Sequence, residues 1–201
     1  MATTELPRKA VFFDRDGVLN KTTVDLDALK SYAPTDPEQL EVFPEAYDII
    51  KQLKIEGFAI IIVSNQPDIA LNKIDEVIRK KLEEKFVIII SQKGVQVDRI
   101  YYCNHHPNGT NPNYPKDCDC RKPKPGMILQ AAVEWSLDLK SSWMIGDTDK
   151  DINAGQAAGC KTILLVRPWS VADNCQPDYS VDNLEDVLDI ILPKDRMSVS
   201  W

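Results

Sequence analysis

Lys9-Ala10-Val11-Phe12-Phe13-Asp14-Arg15-Asp16 decides the architecture of this chain. The apolar run stops abruptly at Asp14, so it reads as a buried strand feeding a charged loop. The pattern recurs downstream. Phe58 to Val63 is unbroken and apolar and ends in Ser64-Asn65-Gln66. Asp98 to Tyr102 runs into a loop rich in Cys, His, Pro and Asn over residues 103–124, and Ser142 to Ile145 ends in Gly146-Asp147. Continuous apolar strands of this kind are covered on both faces. Helical spacing separates them, as in Ala46, Ile49, Ile50 and Leu53 within residues 44–56. Phe86 to Ile90 is β-branched at four of five positions, but Ile74, Val77, Ile78, Leu82, Phe86, Ile89 and Ile90 keep one helical register. That register predicts a helix from Lys73 to Gln92. Further helices are expected from Pro125 to about Leu137, from Asp149 to Ala158 and from Asn183 to Ile191, with a strand from Thr162 to Val166. Residues 21–43, broken by Pro34 and Pro37, show little periodicity. Alternating strands and helices predict an α/β fold in three layers around a mainly parallel sheet.

The chain has 201 residues, 43% hydrophobic and 27% charged, which suits a single domain over residues 1–201 and excludes disordered or disulfide-framework classes. No apolar run approaches the roughly 20 residues of a membrane span, and Met1 to Lys9 lacks an apolar leader core. A net charge of −7 argues against nucleic acid and anionic lipid as partners. A monomer in the cytoplasm is the expectation. An anionic substrate then requires a locally positive pocket. The sequons Asn20-Lys21-Thr22 and Asn108-Gly109-Thr110 read as chance, and Trp135, Trp143, Trp169 and Trp201 as packing or tail residues.

Each polar cluster follows a strand, and the carboxyl ends of parallel strands line one crevice. Asp14 and Asp16 are two residues apart on an extended segment and point the same way. Carboxylates converging there repel unless a cation or a shared proton intervenes. Mg²⁺, which takes one or two carboxylates together with substrate phosphate, suits Asp14 and Asp16, with Asp147 as third ligand. One carboxylate can then act as nucleophile and the other can protonate a leaving alkoxide. Asp149 reads as an N-cap, and Asp151 is left open between a supporting residue and a metal ligand.

Phe13-Asp14-Arg15-Asp16-Gly17-Val18-Leu19-Asn20 resembles the first motif of the haloacid dehalogenase (HAD) superfamily of phosphotransferases. Ser64, Lys122 and Gly146-Asp147-Thr148-Asp149-Lys150-Asp151 resemble its second, third and fourth motifs. The resemblance implies a Rossmann-like HAD fold and a phosphomonoesterase acting through an aspartyl-phosphate. Asp14 would be the nucleophile and Asp16 the general acid and then base. Ser64 and Lys122 would hold phosphoryl oxygens, and Asp14, Asp16 and Asp147 would hold Mg²⁺. No large cap insertion separates the motifs.

Cys103, Cys118 and Cys120 gather within 18 residues together with His105 and His106. Three thiolates and one imidazole make a closed tetrahedral zinc set, although redox-prone thiols also fit the spacing. Cys160 reads as core filler. Cys103-Asn104-His105-His106-Pro107 and Cys118-Asp119-Cys120-Arg121-Lys122-Pro123 are similar to the zinc-loop HAD phosphatases, of the histidinol-phosphatase and heptose-bisphosphate-phosphatase type. That resemblance implies a structural Zn²⁺ on Cys103, His105, Cys118 and Cys120, in a loop over about residues 103–120. It also implies that Arg121 binds a second phosphate and that Asn20, Asn65 and Gln66 face substrate. Asp25, in the segment before the first helix, is a candidate for substrate hydroxyls.

Two departures from that family's pattern stand out. Pro67-Asp68-Ile69-Ala70-Leu71-Asn72 replaces a loop that usually carries glycines and an arginine, and Thr148 stands where the heptose enzymes often carry Lys. The expected substrate is a small phosphorylated metabolite, first a sugar bisphosphate (D-glycero-D-manno-heptose 1,7-bisphosphate), with histidinol phosphate as alternative. A zinc-loop binding module without catalysis is the non-enzyme alternative. Arg121, Lys122, Lys124 and Tyr114 partly fit it, but the acidic whole does not.

Overall fold

The structure is a computed structural model that describes residues 8–28, 30–170 and 172–193. Residues 1–7, read above for a leader, and Trp201 lie outside these ranges. The first strand, β1 (Ala10–Phe13), is buried along its whole length and sits in the middle of the sheet. β4 (Ala59–Asn65) and β6 (Trp143–Gly146) flank it, and β5 (Arg99–Cys103), β7 (Lys161–Leu165) and β8 (Tyr179–Val181) complete the order β5-β4-β1-β6-β7-β8. Every pairing in this sheet is parallel.

Alternate strand residues feed opposite faces, as the pleat requires. Val11, Phe13, Ile60, Ile62 and Ile145 pack on one side with α1 (Pro44–Ile55), α2 (Glu76–Gln92) and α5 (Asp186–Ile191). Ala10, Phe12, Ile61, Val63 and Met144 pack on the other with α3 (Gly126–Trp135) and α4 (Asp149–Ala158). The three-layer α/β expectation holds. Among the described residues, the only strands between β1 and α1 form a hairpin, β2 (Thr23–Asp25) with β3 (Lys30–Tyr32), in place of a cap domain. No helix of the described residues is long and apolar enough to cross a membrane.

Local differences from the sequence expectations have local causes. The long helix starts at Glu76 instead of Lys73 because the Asp75 carboxylate accepts the Ile78 N–H at 2.8 Å and caps it there. The β-branched run at its end is helical, with Phe86 and Ile90 buried. Asp149 is not the cap of its helix. Thr148 takes that place, in a capping box with Asp151. The hairpin and the three-residue β8 carry too few apolar residues to show a period.

Candidate active site

The carboxyl ends of β1, β4 and β6 open onto a cleft of about 210 Å³. Asp14 and Asp16 enter it from the loop after β1, Asn65 from the end of β4, Arg121 and Lys122 from the cysteine loop, and Asp147 and Asp151 from β6 and α4. Two glycines allow this convergence. Gly17 has φ +88°, and a Cβ there would collide with the Asp147 carboxylate. A Cβ on Gly146 would run into the Asp151 side chain.

Lys122 is the buried cation of the cleft, 3% exposed. Its ammonium donates to Asp14 Oδ1 at 2.8 Å and to the Val63 carbonyl at 2.7 Å, and pairs with Asp151 Oδ1 at 2.6 Å. Burial alone would lower its pKa, but Asp14 and Asp151 outweigh burial and the net shift is upward. Asn65 fixes the Lys122 backbone, accepting its N–H and donating to its carbonyl, each at 3.1 Å. Asn65, expected to face substrate, therefore lines the cleft with its amide engaged on Lys122.

Carboxylate oxygens of Asp14, Asp147 and Asp151 lie within 4.8 Å of one another. Burial raises the Asp14 carboxyl to about 6, with Asp151 and Asp16 adding to the shift and Lys122 opposing it. Burial, then Asp151 and Asp14, push Asp147 well above the usual carboxylate range. Two buried carboxylates and the half-buried Asp14 against one buried ammonium are short of positive charge, and hard oxygen donors are the chemistry Mg²⁺ takes, so the residues fit the ion.

Of the expected set, Asp14 and Asp147 carry converging carboxylates together with Asp151, which the sequence left open, and the Asp16 carboxylate is not among them. The Asp16 carboxylate turns to Arg15, whose Nη2 donates to Oδ1 at 3.1 Å and to Oδ2 at 3.0 Å. Asn20 Nδ2 donates to Oδ1 at 2.9 Å, and Gln66 Nε2 donates to Oδ2. Asn20 and Gln66 thus reach Asp16, not the cleft. Ser64 is buried behind the wall, its Oγ accepting from Gln66 Nε2 at 2.9 Å. Asp25 is exposed on the hairpin with its carboxylate on the Ala28 N–H, so it does not line the cleft, whereas Thr22, Ser31 and Tyr32 do.

The cysteine quartet assembles as expected, with ligand atoms of Cys103, His105, Cys118 and Cys120 within 4.8 Å of one another. Cys103 and Cys118 sulfurs are 3.7 Å apart. Zn–S bonds of about 2.3 Å give a tetrahedron edge of about 3.8 Å, so the set fits zinc. Arg121 Nη1 donates to the His105 carbonyl at 3.1 Å, which ties the cleft wall to this quartet.

Sequence reasoning missed three residues. Arg15 is 1% exposed, and its guanidinium lies 5.8 Å from the Phe86 ring and 5.6 Å from the Tyr102 ring. Lys73 lines the cleft paired to Asp68 at 2.9 Å. Trp169, read as a packing residue, donates its indole N–H to Asp147 Oδ2 at 2.8 Å.

The HAD-hydrolase-like family model matches residues 119–187. D-glycero-β-D-manno-heptose-1,7-bisphosphate 7-phosphatase of Pasteurella multocida is 35% identical over 187 residues, covering 92% of this chain and 97% of that one. The Escherichia coli K12 enzyme of the same name is 37% identical over 181 residues, covering 89% and 91%. Among solved structures, D,D-heptose 1.7-bisphosphate phosphatase from B. bronchiseptica, complexed with magnesium and phosphate, matches with a TM-score of 0.76 at 26% identity, covering 92% of this chain and 98% of that one. These relatives do not favour the histidinol-phosphate alternative, and the reading as a binding module without catalysis falls with them. With its strand-end carboxylates, buried lysine and cysteine quartet in these positions, the chain belongs to the heptose-bisphosphate phosphatase family of HAD phosphatases.

Proposed function

We propose that this protein is a Mg²⁺-dependent phosphomonoesterase that removes the 7-phosphate of D-glycero-D-manno-heptose 1,7-bisphosphate. The observation that carries the substrate reading is the placement of cations at two depths of one cleft. Lys122 is buried against Asp14, while Arg121, Lys73 and Lys150 line the opening, with the Lys73 side chain 47% exposed. Burial and then Arg121, Lys150 and Lys73 lower the His106 pKa, a sign of the local positive field. On a protein with net charge −7, that rim is where a second phosphate finds its partners. It also stands in for the arginine missing from the Pro67 to Asn72 loop.

In this reading Asp14 attacks phosphorus, and the bond from phosphorus to the sugar oxygen breaks as Asp16 gives that oxygen a proton. Asp16 then takes a proton from water, which attacks the aspartyl-phosphate and releases inorganic phosphate, restoring Asp14. Lys122 neutralises phosphoryl oxygens as charge spreads over them. Asp14, Asp147 and Asp151 would hold Mg²⁺, which would supply the charge that lets an anionic ester approach a carboxylate cluster. Arg15, Asn20 and Gln66 orient Asp16, and Ser64 holds Gln66.

We assign a structural Zn²⁺ to Cys103, His105, Cys118 and Cys120, since four protein ligands leave no position for water. The net charge and the free thiols support a cytoplasmic monomer acting on a small metabolite, without nucleic acid or membrane. Phosphate release by the wild type and by Asp14→Asn tests the reading. The variant is expected to lose activity by at least about 10³-fold, the scale of a lost nucleophile. Equal rates would exclude it.

A further inference from the structure

The four residues after Val166, Arg167-Pro168-Trp169-Ser170, make three directed contacts with the loops that carry the catalytic carboxylates. Trp169 Nε1 donates to Asp147 Oδ2 at 2.8 Å. Ser170 Oγ donates to the Asp147 carbonyl at 2.6 Å. Arg167 Nε donates to the Gly17 carbonyl at 3.1 Å, and its guanidinium lies 5.0 Å from the Phe43 ring. One short segment therefore touches both ends of the carboxylate cluster, the loop after β1 and the loop after β6.

We propose that Trp169 is a positioning residue for the cation site, fixing the Asp147 carboxylate through Oδ2. A carboxylate on a free torsion can turn either oxygen, or both, toward a cation. The indole N–H ties down one oxygen and with it the plane of the group. No described residue donates to Asp147 Oδ1, which stays available. Asp147 is 1% exposed, and Gly17 packs against it with no side chain between, so water has little room to hold the carboxylate in place of the indole. An indole N–H is a donor that carries no charge. A lysine in the same role would fix the carboxylate but compete with the cation for it, whereas Trp169 orients without neutralising. Ser170 holds the backbone of the same residue, so side chain and main chain of Asp147 are both held by this segment. On the Asp14 side the carboxylate is held through Oδ1 by the charged Lys122.

This inference rests on the proposed Mg²⁺ site, and its test reads metal affinity separately from activity. Trp169→Phe keeps an aromatic ring and removes the N–H donor. In the full-length protein, calorimetric titration with Mg²⁺ is expected to show affinity about 10-fold weaker in this variant, the lower end of what loss of a ligand-orienting hydrogen bond costs. The melting temperature in EDTA is expected to fall, because the buried Asp147 oxygen loses its donor, while the KM for substrate at saturating Mg²⁺ is expected to stay unchanged, which general damage to the cleft would not give. Affinity within twofold of wild type would overturn the proposal. No Mg²⁺ binding by the wild type would overturn it together with the metal reading. If Trp169→Phe does not fold, the wild type carries the test. One tryptophan indole resonance in ¹H–¹⁵N spectra is expected to move with the calorimetric midpoint as Mg²⁺ is added, and the absence of any moving indole overturns the proposal.

Discussion

Lys122 Nζ lies 2.8 Å from Asp14 Oδ1, a contact between side chains 108 positions apart in the chain. The same ammonium pairs with Asp151 Oδ1 at 2.6 Å, so one buried cation serves two carboxylates. Removing it leaves both charges buried without compensation. Lys122→Met is therefore expected to destabilise the metal-free protein by about 3–5 kcal/mol. Urea unfolding in EDTA measures this, and an unchanged midpoint would show that the pair does not hold the cluster together.

Lys73 and Asp68 make a 2.9 Å ion pair on the cleft wall. If the Lys73 ammonium receives the phosphate that is not cleaved, Lys73→Ala raises KM for the bisphosphate about 10-fold, equivalent to about 1.4 kcal/mol. kcat/KM for p-nitrophenyl phosphate, which has no second phosphate, stays within twofold. A loss shared equally by both substrates would mean that Lys73 supports the fold and not the distal group.

Burial raises Asp14 from 3.8 to about 6, and Asp147 moves in the same direction. Between those pH values the folded, metal-free protein binds more protons than the unfolded chain. Its stability therefore falls as pH rises from about 4 to about 6. Mg²⁺ relieves this by compensating the ionised carboxylates, so the rise in melting temperature on adding Mg²⁺ is expected to be larger at pH 7 than at pH 5. An equal rise at both values, read by thermal denaturation, would contradict the assignment of the cation to this cluster.

Arg121 reaches the cleft from the cysteine quartet, donating to the His105 carbonyl at 3.1 Å. Metal analysis is expected to find one zinc per chain. Cys118→Ala is expected to lower the melting temperature and to raise KM for the bisphosphate, because the loop carrying Arg121 loses its anchor. Full activity in a zinc-free protein would separate the quartet from the cleft.

The parts of this molecule that could be read in advance are those where one residue type recurs in a fixed local relation. Asp14 and Asp147 each follow an apolar strand directly, so the parallel sheet delivers them to one edge. The quartet was visible because thiols and imidazoles are scarce and lie close in sequence. The direction of the Asp16 carboxylate was not legible, because alternation along a strand does not continue into a loop. There the Arg15, Asn20 and Gln66 side chains decide where a carboxylate turns. Arg15 itself looks like a solvated loop charge until Phe86 and Tyr102, from α2 and β5, supply its aromatic surroundings. Trp169 meets Asp147 from a segment 22 residues away, after the chain has passed through α4 and β7, and no spacing rule links the two. The hairpin of β2 and β3 was hidden for another reason: its strands are three residues each and largely exposed, too short for a period to register.

The most direct test compares kcat/KM for phosphate release from D-glycero-D-manno-heptose 1,7-bisphosphate and from histidinol phosphate, each with Mg²⁺. With Lys122 at the floor and Arg121, Lys73 and Lys150 at the opening, the bisphosphate is expected to win by at least about 100-fold, near 2.7 kcal/mol of transition-state stabilisation. Equal values, or a preference for the cationic monophosphate, would contradict the reading of the rim as a second phosphate site.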